Sequence, residues 1–245
     1  MTKRFYLPAR EIHGDEVILQ GKEAHHASRV MRLEAGDRLT LFDGEGHEYT
    51  GIIRTITPKE VAVSLEKRME ESRREALISV ACALPKKVRM ENVIEKMTEA
   101  GTEAILPMRT ERTVPRVRKE EEAKKLDRFR RIAAEAAKQC GISKLPEISN
   151  FFSFLEVLRL SPNYDLALFM APEGRPLSVA LQKTSARRVI ICVGPEGGWS
   201  EKEREEARKA DWDLVSLGKR ILKVDTACLA AVSILHYVLD PSACL

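Results

Sequence analysis

Two hydrophobic rhythms divide this chain. Across residues 1–70, apolar and polar positions alternate in short runs at Val17-Ile18-Leu19, Arg38–Asp43, Tyr49–Ile56 and Val61–Leu65. Such alternation marks strands with one buried face. Gly14-Asp15, Gly36-Asp37, Asp43-Gly44-Glu45-Gly46 and Pro58-Lys59 punctuate the runs as turns. One helical segment, Lys22 to Met31, interrupts them. The pattern predicts a small, barrel-like β domain. The charged stretch Glu66–Glu75, whose one apolar residue is Met69, reads as its boundary.

From Ala76 onward strands alternate with helices. Leu77–Leu84 reads as a buried strand. Lys86–Ala100 reads as a helix with Val88, Val93, Ile94 and Met97 inward and Gly101 at its end. Ile105-Leu106 begins another strand, and Glu120–Cys140 is a long helix stopped by Gly141. Ser153 with Glu156 and Ser200 with Glu203 have the spacing of capping boxes, opening helices to Leu160 and to about Ala210. Asp165–Met170, Arg188–Val193 and Asp213–Leu217 read as strands. Thr226–Leu239 is an apolar closing helix with Asp225 as its N-cap. This alternation predicts an α/β domain whose mostly parallel sheet is covered on both faces.

Two glycine-marked loops stand out in that domain, Val193-Gly194-Pro195-Glu196-Gly197-Gly198-Trp199-Ser200 and Leu217–Ala227. Each follows a predicted strand and precedes a predicted helix, which places both at one edge of a sheet, where open α/β folds bind ligands. Glycines permit positive φ and close ligand approach, and amides ahead of a helix bind polar atoms. The first loop lacks the Gly-Lys-Ser/Thr of a P-loop and the G-x-G-x-x-G of a dinucleotide site. It suits an adenosine-type ligand without a tightly held polyphosphate, or simply a tight turn. The second loop carries Ile221 and Leu222 among Lys219, Arg220 and Lys223. Such an apolar pair folds into the core or walls a pocket for a base.

Charge changes the picture only through its distribution. The net charge is +4, a balance that does not by itself predict nucleic-acid binding. Residues 1–71 carry 11 basic against 13 acidic side chains, whereas residues 86–144 carry 16 against 10. This basic middle fits an RNA footprint and a solvated helix surface about equally well. Arg112, after the Ile105-Leu106 strand in Thr110–Val114, suits a phosphate or a developing negative charge, and equally a surface ion pair with Glu111 or Glu103. His25-His26, Arg29 and Arg32 lie on one helical segment, with the two arginines on a common face. They fit an RNA backbone or a solvated face. The five cysteines, Cys82, Cys140, Cys192, Cys228 and Cys244, form no C-x-x-C pair and read as buried free thiols of a reducing cytosol. The histidines lack ligand spacing, so no metal is expected. With no membrane-length apolar run and no signal-like start, the chain reads as cytoplasmic.

Taken together, these motifs resemble the bacterial 16S rRNA uracil-N3 methyltransferases of the SPOUT superfamily. The resemblance spans essentially the whole chain. It is carried by Arg4-Phe5, His25-His26 with Val30-Met31-Arg32, Leu41–Gly44, Glu95–Gly101, Glu111-Arg112, Gln139–Gly141 with Pro146–Ile148, Gly194–Gly198 and Leu217–Ala227. It implies a PUA-like β-barrel that binds RNA over residues 1–70. It implies a SPOUT methyltransferase domain with a trefoil knot over residues 73–245, a topology that the usual avoidance of threading argues against. It further implies S-adenosylmethionine as cofactor, a homodimer with the cofactor pocket near its interface, and 16S rRNA of the small subunit as substrate.

By resemblance, the cofactor residues are Met170, Val193, Gly194, Pro195, Glu196, Gly197, Gly198, Leu217, Gly218, Ile221, Leu222 and Thr226. The RNA residues are Arg4, His25, Arg29, Arg32, Arg112, Gln139 and Lys144. Uracil N3 must lose its proton before it attacks a methyl group. Arg112 and Arg220 are therefore candidates to stabilise the resulting anion, and Glu196 is a candidate base. Two positions depart from the family pattern. Ala100 stands where leucine is common, and Ile142 where arginine is, with Lys144 offering a charge nearby but no planar fork. A non-catalytic RNA-binding or ribosome-assembly protein on the same fold is the competing reading. A Rossmann-type oxidoreductase is a weaker one, since the dinucleotide fingerprint is missing.

Overall fold

The computed structural model describes residues 3–71, 75–86, 90–113, 117–182 and 184–240. Val88, Val114, Cys244 and part of the expected boundary stretch lie outside them. The chain divides into two compact units: Met1–Ser72 with Ala134–Leu145, and Arg73–Ala133 with Pro146–Leu245.

The first unit is built on five strands, β1 (Arg4–Tyr6), β2 (Glu16–Gln20), β3 (Arg38–Phe42), β4 (His47–Ile56) and β5 (Glu60–Glu70). They form a sheet in the order β1-β3-β4-β5-β2, antiparallel except for β1 beside β3. Alternation does its expected work here. Val17 and Leu19 of β2, Leu39 and Leu41 of β3, and Val61 and Val63 of β5 are buried, and they pack with Phe5 and Leu7 into one core. The chain passes from one unit to the other at Ser72/Arg73, within the charged stretch Glu66–Glu75 expected to mark the boundary, although Lys67–Glu70 at its start still continue β5 against His47–Thr50 of β4. A strand ladder needs backbone partners, not apolar side chains, so the strand runs on into the first charged residues of that stretch. The expected helix splits into α1 (Gly21–His25) and a π-helical turn, His26–Val30. Arg32 follows with φ 52°, an uncommon conformation for a residue with a side chain.

The second unit begins with β6 (Leu77–Ala83), α2 (Met90–Glu99), β7 (Ala104–Arg109) and α3 (Lys119–Cys140). It continues with β8 (Glu147–Ile148), β9 (Phe152–Ser153), α4 (Phe154–Leu158), β10 (Leu166–Pro176) and α5 (Leu177–Ala180). It closes with β11 (Arg188–Val193), α6 (Glu201–Lys209), β12 (Asp213–Ser216) and α7 (Val224–Leu239). From Ala134 onward, α3 and the segment to Leu145 belong to the first unit.

The sheet of the second unit runs β12-β10-β11-β6-β7-β8, with β9 also on β7, and every described pairing is parallel. One face packs Ile78, Val80, Ile105 and Ile191 against Val93, Ile94 and Met97 of α2 and against Cys228, Val232 and Leu235 of α7. The other packs Ala81, Phe169 and Ile190 against Phe154, Trp199, Ala207 and Trp212. Both predicted capping boxes form, at Ser153/Glu156 and Ser200/Glu203. Asp225 was expected to cap α7, but Lys223 occupies that position and Asp225 lies in the first turn. There its carboxylate pairs with Lys96 of α2 at 2.6 Å.

Of the cysteines, Cys82, Cys192 and Cys228 are buried free thiols, but Cys140, at the end of α3, is exposed. No described helix is long and apolar enough to cross a membrane.

Candidate functional site

Parallel pairing sets the site. Met170 of β10 lies beside Val193, the last residue of β11, and beside Val215 of β12. The loops after β11 and β12 therefore leave the sheet on either side of Met170, at the carboxyl ends of those two strands, while β10 between them runs on to Pro176. That edge is where parallel sheets leave room for ligands.

The first loop is fixed from below by Trp199. Its indole Nε1–H donates to the Met170 carbonyl at 2.8 Å, and its ring packs 4.4 Å from Phe169 and 5.4 Å from Phe154, centroid to centroid. Gly194 is glycine because of that ring: a Cβ there would stand 2.7 Å from it. Gly198 is glycine for another reason. It adopts φ +68°, and nothing lies within 4 Å of where its Cβ would be. Its amide closes the turn on the Pro195 carbonyl at 2.9 Å. Glu196, a candidate base, is exposed and also holds the loop in place. Both its oxygens accept the Lys86 backbone N–H, at 3.0 and 2.9 Å, so the carboxylate ties the loop to the segment after β6.

The second loop turns on Gly218, at φ +111°, with the Ser216 hydroxyl bonded to both its N–H and its carbonyl. Beyond it Arg220 is exposed, Leu222 is half-buried and Ile221 is 82% exposed. Ile221 is thus not folded into the core, which was one of the two readings open to it. Thr226 is exposed in the first turn of α7. The Lys96 ammonium beside Asp225 holds that carboxyl below its usual range and pins the loop's far end to α2.

Arg112 joins this edge from the loop after β7. Its Nη1 donates to the Gly197 carbonyl at 2.9 Å. The two surface ion pairs open to it, with Glu111 or Glu103, are not the contacts it makes. Thr110 and Thr113 close its loop, the Thr110 N–H donating to Thr113 Oγ1 at 2.9 Å. Sequence reasoning missed Trp199 as the wedge under Gly194. It also missed Gly174, whose Cβ would stand 2.5 Å from the Val215 amide where β10 and β12 draw together. Both depend on which strands are neighbours, which no local pattern states.

The RNA candidates of the first unit divide into two groups. His25, Arg29 and Arg32 are exposed on α1, the π-helical turn and the bend after it, with Val30 61% exposed among them. Gln139 and Lys144 are exposed too. Arg4, expected to touch RNA, is instead 7% exposed. Its guanidinium pairs with Glu48, lies over the Phe42 ring, and donates to the Ile142 carbonyl at 2.8 Å and to Ser143 Oγ at 2.7 Å. A buried guanidinium with both Nη groups bonded within the protein is a structural clamp. It holds the segment after α3, together with Glu71, which accepts the Ser143 and Lys144 amides at 2.7 and 2.9 Å. Ile142 thus contributes a backbone carbonyl to this clamp. Among the described residues, no cluster of three or more His, Cys, Asp or Glu side chains could hold a metal.

Comparison with known proteins agrees with this anatomy. Residues 72–236 match the family described as an RNA methyltransferase domain, and residues 19–66 match an RNA methyltransferase PUA domain. The chain is 31% identical to ribosomal RNA small subunit methyltransferase E of Synechocystis over 98% of its own length and 79% of that protein's. It is 29% identical to the Bacillus subtilis protein of that name over 89% of each chain. A Legionella pneumophila structure solved with the cofactor SAM superposes with TM-score 0.87 at 31% identity, covering 97% of this chain and 98% of that one. The Neisseria gonorrhoeae ribosomal RNA small subunit methyltransferase E, bound to S-adenosyl methionine, also gives TM-score 0.87, at 28% identity and the same coverage. With its PUA domain, its parallel-sheet methyltransferase domain and this likeness along nearly its whole length, the chain belongs to the ribosomal RNA small subunit methyltransferase E family.

Proposed function

We propose that this protein transfers a methyl group from S-adenosylmethionine to N3 of a uridine in 16S rRNA of the small ribosomal subunit. The observation that carries the proposal is the meeting of two glycine loops at Met170, with Arg112 bonded to the first of them. The residues present fit the cofactor. Main-chain groups of Gly194–Gly198 and of Leu217–Gly218 offer polar contacts, and Ile221 with Leu222 offers an apolar wall for an adenine. The cofactor supplies an electrophilic methyl group.

The remaining chemistry falls to the protein. Uracil N3 carries a proton and is a weak nucleophile until it leaves. A guanidinium near O2 or O4 stabilises the anion and so lowers the cost of that loss. Arg112 is our first candidate, because the Gly197 carbonyl takes only one of the five N–H donors in its fork. Arg220, exposed on the second loop, is the second candidate. Glu196 anchors the first loop, so we assign proton removal to solvent or to a group of the RNA.

The first unit, with His25, Arg29, Arg32, Gln139 and Lys144 exposed, serves in this proposal to hold the RNA around an extruded base. A homodimer is part of it. Ile234, Tyr237 and Val238 are exposed at i, i+3 and i+4 on α7, an apolar stripe suited to a second copy. So are the trefoil knot and action in the cytoplasm, where small subunits are made. The test is methylation of small subunits from cells lacking the protein, with labelled S-adenosylmethionine and mass mapping of the RNA. A single modified uridine is the expected product. Labelling at another base, or no labelling, would overturn the proposal.

A further inference from the structure

Glu203, in the first turn of α6, is 5% exposed, and its carboxylate is divided between two tasks. Oε2 accepts the Ser200 N–H at 2.9 Å, while the Glu203 N–H donates to Ser200 Oγ at 3.2 Å, which completes the capping box. Oε1 accepts the backbone N–H of Glu111 at 2.8 Å. A capping box uses only one side-chain oxygen, and glutamine serves it as well as glutamate. The second bond is what requires a carboxylate. A glutamine that kept the cap would turn its NH2 group toward the Glu111 N–H, donor against donor. Burying the charge is costly. It is offset by two charge-assisted bonds and by the positive end of the α6 dipole.

The placement of that second bond is informative. Glu111 precedes Arg112, whose guanidinium donates to the Gly197 carbonyl at 2.9 Å. Gly197 lies in the loop that α6 follows. The Arg112 loop is therefore tied twice to one short stretch of chain, through its main chain to Glu203 and through its side chain to Gly197. We infer that Glu203 is a positioning residue for Arg112. It holds the Arg112 main chain and the first glycine loop as one body, so that the guanidinium meets the substrate base in a fixed place. This rests on the reading of Arg112 as the group that stabilises the uridine anion.

The test uses the full-length protein, small subunits and S-adenosylmethionine, with Glu203→Gln made alone and together with Arg112→Ala. Alone, Glu203→Gln should lower the saturated single-turnover rate by about 10- to 100-fold, the scale of a small misplacement of a reacting group. It should leave the KM for subunits and the affinity for S-adenosylhomocysteine near wild type. In the presence of Arg112→Ala, it should cost nothing further. Ser200→Ala breaks the same capping box but spares the Glu111 bond, so it should lower thermal stability and keep turnover. Should Glu203→Gln fail to fold, Glu203→Asp keeps the charge with a shorter reach and should show the same dependence on Arg112. A wild-type rate in Glu203→Gln, or an equal loss with and without Arg112→Ala, would overturn the inference. A wild-type rate in Arg112→Ala alone would instead overturn the reading of Arg112.

Discussion

Replacing Gly194 by alanine adds one carbon where the Trp199 ring stands. The new Cβ would lie 2.7 Å from Trp199 Cε2, 2.9 Å from Cζ2 and 3.0 Å from Nε1. Carbon atoms in contact prefer about 3.5–4.0 Å, so ring and loop must separate by about 1 Å. The ring has little room to give. Trp199 is 2% exposed, wedged against Phe169 and Phe154, and its Nε1–H is committed to the Met170 carbonyl. Overpacking of this kind costs about 1–3 kcal/mol. Straining the indole hydrogen bond adds about 1 kcal/mol. Stiffening the unfolded chain by replacing glycine returns about 0.4–1 kcal/mol. The net expectation is a loss of about 1–3.5 kcal/mol, or roughly 2–14 °C in Tm for a protein of this size. Because the loop, not the core strand, is the softer partner, the same displacement should weaken S-adenosylhomocysteine binding. Thermal melts and calorimetry measure the two effects separately. Adding Trp199→Phe should restore part of both, since it removes ring atoms from the clash. A Gly194→Ala protein with wild-type Tm and affinity would refute the argument that the indole dictates glycine here.

Gly198→Asn should keep stability within about 1 kcal/mol, because asparagine tolerates positive φ and the space is open. Loss of S-adenosylhomocysteine affinity in that variant would show the ligand lying against the loop, and full affinity would show that it does not. Arg112→Ala should lower turnover at saturating substrate with cofactor affinity unchanged, and Arg112→Lys should recover only part, since a point charge lacks the fork. Arg29→Ala should weaken RNA binding and reduce the slope of log affinity against log salt by about 1, while saturated turnover holds; an unchanged slope would remove Arg29 from the interface. The Lys96 ammonium keeps Asp225 ionised below the usual carboxylate range, so the pair stabilises the fold above about pH 4 and its contribution is lost as pH falls through the lowered folded-state value. Lys96→Met should therefore lower Tm at pH 7 and converge on wild type as pH falls through the lowered Asp225 value. Parallel Tm profiles would show that the pair carries no such weight.

How much of this was legible in the sequence depended on how local the cause was. Capping boxes at Ser153 and Ser200 need only a hydroxyl and a carboxylate three residues apart, and both formed as spaced. The alternation in β2, β3 and β5 buried the residues it should. Partners distant in sequence were another matter. Arg4 was expected to touch RNA only through the family resemblance, and no local pattern around it says what it binds. Only the return of residues 142–143 beside β1 turns it into a buried clamp. Asp225 had the residue type of an N-cap, and Lys96, 129 positions away, drew its carboxylate elsewhere. That return of the chain also alters what a truncation would mean. Residues 134–145 belong to the first unit, where Lys138 pairs with Glu23 and Glu71 holds the Ser143 and Lys144 amides. Removing residues 1–70 would leave Lys138 without Glu23 and Ser143 without Arg4 and Glu48. Deletion at residue 70 would therefore strip residues 134–145 of the rest of their unit. Point substitutions at Arg29 and Arg112 test the two proposed roles, RNA binding and chemistry, more cleanly, because each removes a single exposed charge and leaves both cores as they were.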